Sequence, residues 1–245
     1  MSTAATTATA LRVLTQLRRD PRTIALLLVV PALLVTLLRF VFDGQEETLD
    51  RIGSPLIGLF PFIVMFLVTS ITMLRERTGG TLERLMSMPV GKLDVLAGYG
   101  LAFAGIAALQ AGITAGVAFL FLDLDVAGSA AALVAIAIGN AVLGMALGLF
   151  VSAFATTEFQ AVQFMPAFVL PQLLLCGLFV ERDRMAEFLD VLAGALPLTY
   201  AFDALDRVAS GGDFGGRGWL DVAAIVGATL LALSLGALTL RRRTA

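Results

Sequence analysis

Histidine is absent from this 245-residue chain, and lysine, cysteine and tryptophan each occur once. With no imidazole, the commonest general base and the commonest zinc ligand are missing, and no Ser–His–Asp arrangement can form. The single cysteine, Cys176, excludes an intrachain disulfide and a thiolate metal cluster; set in an apolar run, it reads as a small buried filler. Charge is scarce as well, with 15% of residues charged against 58% hydrophobic and a mean hydropathy of +0.92. No basic tract of the kind that grips nucleic acid is present. These values lie outside the range of soluble domains and point to a polytopic, all-α membrane protein without catalytic machinery.

What the chain does have is a series of apolar runs. A helix crosses the bilayer core with about 20 apolar residues. Six such spans are expected, at about 23–42, 55–74, 94–122, 126–155, 159–180 and 222–240, in one domain covering 1–245. The fourth run exceeds what a crossing needs, so it tilts or begins late near Ala130. Ahead of them Leu11, Leu14 and Leu17 recur at helical spacing among Arg12, Arg18 and Arg19, which predicts an interfacial helix; this stretch lacks the apolar centre of a secretory signal. Residues 181–221 are polar yet patterned. Met185, Phe188, Leu189 and Leu192 share one helical face, Pro197 breaks that helix, and 198–208 makes a second before Ser210-Gly211-Gly212, so two short helices are predicted at the outer surface or dipping slightly into it. Lys and Arg beside the spans number 11 on the side shared by both termini and 5 on the other. The excess places both termini in the cytoplasm of a multi-pass protein of the cell membrane.

The mixed-charge segment 74–93 lies on that cytoplasmic side. Arg75, Glu76 and Arg77 leave the membrane, Gly79 and Gly80 permit a sharp turn, and Thr81 caps a short helix with Leu82, Leu85 and Met86 on one face and Glu83 and Arg84 beside them; Pro89 stops it. An amphipathic helix between two spans suits transmission of force better than chemistry. The polar residues at depth, Gln110, Asn140, Gln163 and Gln172, carry no charge, so a carrier driven by an ion gradient lacks its relay. Gly91-Lys92 ends like a phosphate-binding loop, but Leu93 stands where Ser or Thr is needed and no glycine lies five positions before Gly91. Any nucleotide must then be bound by another polypeptide. Gly144-x-x-x-Gly148 has the small-x-x-x-small form and predicts close helix packing within the chain.

Residues Arg75–Tyr99, RERTGGTLERLMSMPVGKLDVLAGY, resemble the segment that follows the second span in type-2 ABC-transporter permeases, the membrane subunits of bacterial drug and lipid exporters. The match falls on Arg75, Glu76, Gly80, Thr81, Leu82, Glu83, Leu85, Pro89 and Val90. A second stretch, Met165–Val208, is similar to the family's fifth span and the outer helices after it, through Pro197, Leu198, Thr199 and Tyr200. The resemblance implies a permease that works with a second permease subunit, the same chain or a related one, and with two copies of a cytoplasmic ATPase that bind ATP and Mg. It implies a coupling helix formed by Arg75, Glu76, Arg77, Thr81, Leu82, Glu83, Arg84 and Leu85, the acids and bases pairing with the ATPase and the leucines filling a pocket on it. It further implies a substrate pathway between the second and fifth spans, for which Phe62, Met65, Phe66 and Thr69 on one and Phe164, Phe168 and Gln172 on the other are the candidates. The cargo expected is an amphipathic drug-like or lipid-like molecule. An ATPase-independent carrier or channel, and a scaffold that moves nothing, are the competing readings.

Overall fold

The computed structural model describes residues 2–87, 91–122 and 124–239, with the side chains at 46–48, 50, 51, 83, 86, 87 and 92 outside the description. The helices are α1 (Thr3–Arg18), α2 (Pro21–Val41), α3 (Glu46–Thr78), α4 (Thr81–Ser87), α5 (Lys92–Phe121), α6 (Ala130–Val151), α7 (Glu158–Leu175), α8 (Glu187–Gly194), α9 (Pro197–Ala209) and α10 (Gly215–Thr239). Several starts follow from capping chemistry. The Ser2, Ser129 and Thr157 side chains accept backbone N–H groups at the first turns of α1, α6 and α7, and Asp20 accepts the Thr23 N–H with Pro21 at the first helical position of α2.

The bundle is built around α6 and α3. α6 is apolar all round and rich in small residues, which lets α3 lie directly against it. A Cβ added at Gly144 would stand 2.3 Å from the Phe62 carbonyl oxygen, and one at Gly148 2.4 Å from that of Phe66. The small-residue spacing in the fourth span is therefore a packing device within the chain. Thr69 reinforces the contact, its hydroxyl donating to the Met145 carbonyl at 3.2 Å across the two helices. α2 and α10 flank the bundle and bury narrow stripes only: Leu27, Pro31 and Val35 on α2, Asp221, Ile225 and Ala232 among those on α10. Their other faces carry exposed leucines, valines and aromatics, as helices facing hydrocarbon do.

Among the described residues five helices are long and apolar enough to cross a membrane: Pro21–Val41, Ile52–Thr78, Leu93–Phe121, Ala130–Val151 and Gly215–Thr239. The fifth expected span differs. α7 closes at Leu175, short of residue 180, where Gly177 turns the chain with a φ of +105°. Its 18 residues still reach about 27 Å at about 1.5 Å per residue. They run from the end of the bundle that carries α1, here the proximal end, to a distal cavity shared with Ser210 and Gly212. The last crossing begins at Gly215, earlier than the expected 222, and α3 begins at Glu46, earlier than 55.

Two elements depart further from the sequence expectation. α1 spans Thr3–Arg18, and its buried face is Thr6, Thr9 and Val13, set on α5 so closely that a Cβ at Gly98 would meet the Thr9 Cβ at 2.5 Å. Leu11 and Leu14, on the expected apolar face, are 64% and 40% exposed, as a helix resting in the interface presents them, and Leu14 lines a small apolar pocket with Leu27 and Ile106. α8 and α9 meet at 90°. α9 does not rest on the surface: it enters the bundle with Leu198, Ala201, Ala204 and Leu205 fully buried, Leu205 filling the space that the absent side chain of Gly58 leaves open. Because α7 ends and α10 begins at the distal side, the α8–α9 pair is re-entrant.

Candidate functional site

The proximal end of α3 carries three consecutive charged side chains, and each ties α3 to a different neighbour. Arg75 makes a two-pronged pair with Glu158 in the first turn of α7, Nε and Nη2 donating at 2.7 and 2.8 Å. Glu76 turns inward and is 8% exposed. Its carboxylate accepts from Gln16 Nε2 at 3.1 Å and lies 3.5 Å from the Arg12 guanidinium, both on α1. Arg12 in turn donates to the Tyr99 hydroxyl of α5 and sits 5.4 Å from that ring's centroid, a cation–π contact. Arg77 donates to the Thr239 hydroxyl at the end of α10 at 3.2 Å. One turn of helix thus connects α3 with α1, α5, α7 and α10.

After this node the chain turns at Gly79-Gly80, where Gly80 has a φ of +72°, and α4 begins at Thr81. The expected short helix is present. Its leucines face elsewhere than expected: Leu82 and Leu85 are 7% and 9% exposed and pack with Val13, Val95 and Leu96 in the chain's own core. They are buried within this chain, in one cluster with residues of α1 and α5. Glu76 and Arg77 are likewise committed to internal partners. Arg84 is exposed on α4, whereas the side chains of Glu83 and Met86, and all of Pro89 and Val90, lie outside the described residues.

The expected pathway residues divide in two. Phe62, Met65, Phe66 and Thr69 are at most 1% exposed, turned into the chain's own core. Phe62, Phe66 and Thr69 lie on the face of α3 that meets α6, while Met65 packs in the Val13–Tyr99 core. That burial has a steric origin, since the glycines of α6 draw in the very face that carries the large side chains. The flank of α3 that stays half-buried is Phe60, Ile63, Leu67 and Ile71. On α7, Phe168 is 47% exposed and stacks edge-on with Phe164 at 6.0 Å between centroids. Gln172 is buried and works as a clamp, its Nε2 donating to the Phe168 carbonyl at 2.9 Å and its Oε1 accepting from the Leu198 N–H at 3.4 Å. The Thr199 and Tyr200 hydroxyls donate to the carbonyls of Ala193 and Gly194 at 2.8 and 2.6 Å, which closes the corner between α8 and α9.

Sequence reading missed Arg12, Gln16, Tyr99 and Glu158 as members of the node. Glu158 was the most accessible of them, being the lone acid between Asp125 and Glu181. Arg12 and Gln16 carry no signal of their own, since their pairing depends on how α1 crosses α5.

Three comparisons bear on this geometry. The profile of the ABC-2 type transporter family matches residues 5–208, from the first turn of α1 to the last turn of α9. The chain is 23% identical over 163 residues to "ABC transporter G family member 20" of Dictyostelium discoideum, covering 66% of this chain and 22% of that protein. It is 26% identical over 153 residues to the "Probable multidrug ABC transporter permease YbhR" of Escherichia coli strain K12, covering 62% of this chain and 42% of that one. The chain therefore spans under half the length of these relatives.

Proposed function

The chain belongs to the ABC-2 type transporter family, and from that premise we propose that it forms half of the translocation pathway of an exporter, driven by a separate ATPase that pushes on α4 from the cytoplasm. The proximal end is then the cytoplasmic one, with both termini beside it, in keeping with the excess of Arg and Lys there. ATP and Mg bind to the ATPase, two copies of which serve a pair of permease subunits. The name of the Escherichia coli relative supports a drug-like, amphipathic cargo.

The observation that carries this reading is the node of Arg75, Glu76 and Arg77. Ordinary loops between crossings end in solvated charge; here the charges at the base of α4 are bound to α1, α5, α7 and α10. A displacement of α4 is thereby passed to most of the bundle at once. ATP binding favours one arrangement of the subunits only if the ATPase holds α4 differently in its two states. Arg84 and Glu83 supply the contact with the ATPase, since Leu82 and Leu85 are occupied within the chain.

The pathway runs where the paired subunits meet, along Phe60, Ile63, Leu67 and Ile71 of α3 and Phe164 and Phe168 of α7, an apolar and aromatic strip that accepts varied hydrophobic cargo. The test is reconstitution with the ATPase in vesicles. Amphipathic compounds are expected to raise ATP hydrolysis and to accumulate on the far side. Reversal of charge at Glu83 and Arg84 together should leave the permease inserted while hydrolysis no longer drives transport; unchanged coupling removes α4 from the mechanism.

A further inference from the structure

Two cavities flank the turn between α9 and α10 at the distal end. One, about 450 Å³, is lined by charge of both signs, including Arg182, Asp203, Asp206 and Arg207. The other, about 500 Å³, is apolar and lies between α6, α9 and α10, with Ala132, Ile136, Val208 and Trp219 in its wall. Both volumes fall in the range of about 300–1,000 Å³ that small-molecule sites occupy. The cavities share Gly212 as a common rim. Gly211 and Gly212 are exposed and bring no side chain there, so the saddle between the two is low.

The arginines of the charged cavity differ in how closely they are paired. Arg182 is held by Asp190 at 2.7 Å and reaches Asp203 at 3.5 Å. Arg207 meets Asp221, which stands outside the cavity wall, only at 3.9 Å, and the buried Nε of Arg207 has no hydrogen-bond partner. A loosely paired Arg207 favours an anion in the cavity, and Asp203 and Asp206 in the same wall favour a cation beside it. The apolar cavity opens on the side of α10 where Trp219 and Val226 are 68% and 52% exposed, and Phe214 stacks edge-on with Trp219 at 5.7 Å. Such an aromatic pair is typical of the level at which bilayer head groups give way to hydrocarbon.

We propose that the Arg207 cavity and the Trp219 groove form one site for a zwitterionic phospholipid of the surrounding bilayer, its phosphate on Arg207, its ammonium toward the Asp203 and Asp206 carboxylates, and an acyl chain in the groove. The assignment requires that the bundle crosses a bilayer, and it does not depend on coupling to an ATPase or on which face is cytoplasmic. Lipid binding to the purified full chain by native mass spectrometry tests it, with dioleoyl phosphatidylethanolamine as the probe. Dioleoylglycerol supplies the tails without the head, free phosphoethanolamine the head without tails, and dioleoyl phosphatidylglycerol an anionic head without the ammonium. Phosphatidylethanolamine should bind at least about tenfold more tightly than each of the three, the effect of one charge-assisted contact. Arg207→Gln should weaken it to a similar extent without altering the affinity for dioleoylglycerol, and Ala135→Phe, which fills the groove, should weaken both diacyl lipids. If Arg207→Gln does not fold, the double variant Arg207→Gln/Asp221→Asn leaves no lone charge and keeps the same expectation. Equal binding of dioleoylglycerol overturns the head-group contact, equal binding of phosphatidylglycerol overturns the zwitterion, and equal binding of free phosphoethanolamine overturns the groove.

Discussion

At Gly144 a single methyl group decides how near two crossings can come. Its Cβ would lie within 2.3 Å of the Phe62 carbonyl oxygen, a backbone atom that cannot step aside. Gly144→Ala is expected to cost about 1–3 kcal/mol, the usual range for overpacking, read as a lower thermal midpoint of the purified protein. An unchanged midpoint would mean that α3 and α6 do not meet there. Asp203 gives a second prediction at this scale. It lies on the re-entrant helix α9, outside the crossings, and burial pushes its pKa up to about 6, with Arg182 opposing. A carboxyl raised in the folded state adds stability below the ordinary carboxylate range and loses it as pH rises through about 6. Asp203→Asn should therefore raise the thermal midpoint at about pH 7.5, and the difference should close by about pH 4. A variant that is equally stabilised at both pH values would assign the gain to packing.

Among the elements, the contacts at the base of α3 separate into a fixed joint and a releasable one. Glu76 is buried among Arg12, Gln16 and Tyr99, and Glu76→Ala should lower stability by about 1–3 kcal/mol because the Arg12 guanidinium then keeps Tyr99 but loses its carboxylate. Arg75 and Glu158 are each more than half exposed, and an exposed pair contributes about 0.2–1 kcal/mol. Such a bond suits a latch between α3 and α7. Glu158→Ala should leave the thermal midpoint almost unchanged yet alter coupled transport, and the exchange Arg75→Glu/Glu158→Arg should restore it. Failure of the exchange to restore transport would show that the latch is incidental. The turn at Gly79-Gly80, the short α4 and five long crossings were legible in the sequence because glycine and apolar length act locally, although Thr81 opens α4 from within and Gly80 stands ahead of it. The inward turn of Leu82, Leu85 and Glu76 was not, since it depends on α1 lying over α5 at Gly98, a contact between residues far apart in the chain. The same reason hid the burial of Phe62, Met65 and Phe66: a row of large side chains on a membrane helix has no preferred partner until the glycines opposite are placed. α9 was expected at the surface or dipping slightly into it because 181–221 is polar on average, whereas its face of Leu198, Ala201, Ala204 and Leu205 is apolar at helical spacing and goes deeper, filling the bundle.

For the molecule as a whole, a permease moved from outside needs a rigid body and one place to push. The interlocked α3 and α6 supply the first, and on the function proposed above α4 with its node supplies the second. Cys176 is fully buried, so a cysteine placed at Arg84 is the accessible thiol of the folded chain. The central claim is that a separate ATPase grips α4 from the cytoplasm, and cross-linking of an Arg84→Cys variant in sealed inside-out vesicles tests it most directly. The account predicts a cross-link to the ATPase whose yield changes between ATP-bound and nucleotide-free states. A thiol at position 84 that reacts only with reagents confined to the opposite side of the membrane would contradict it.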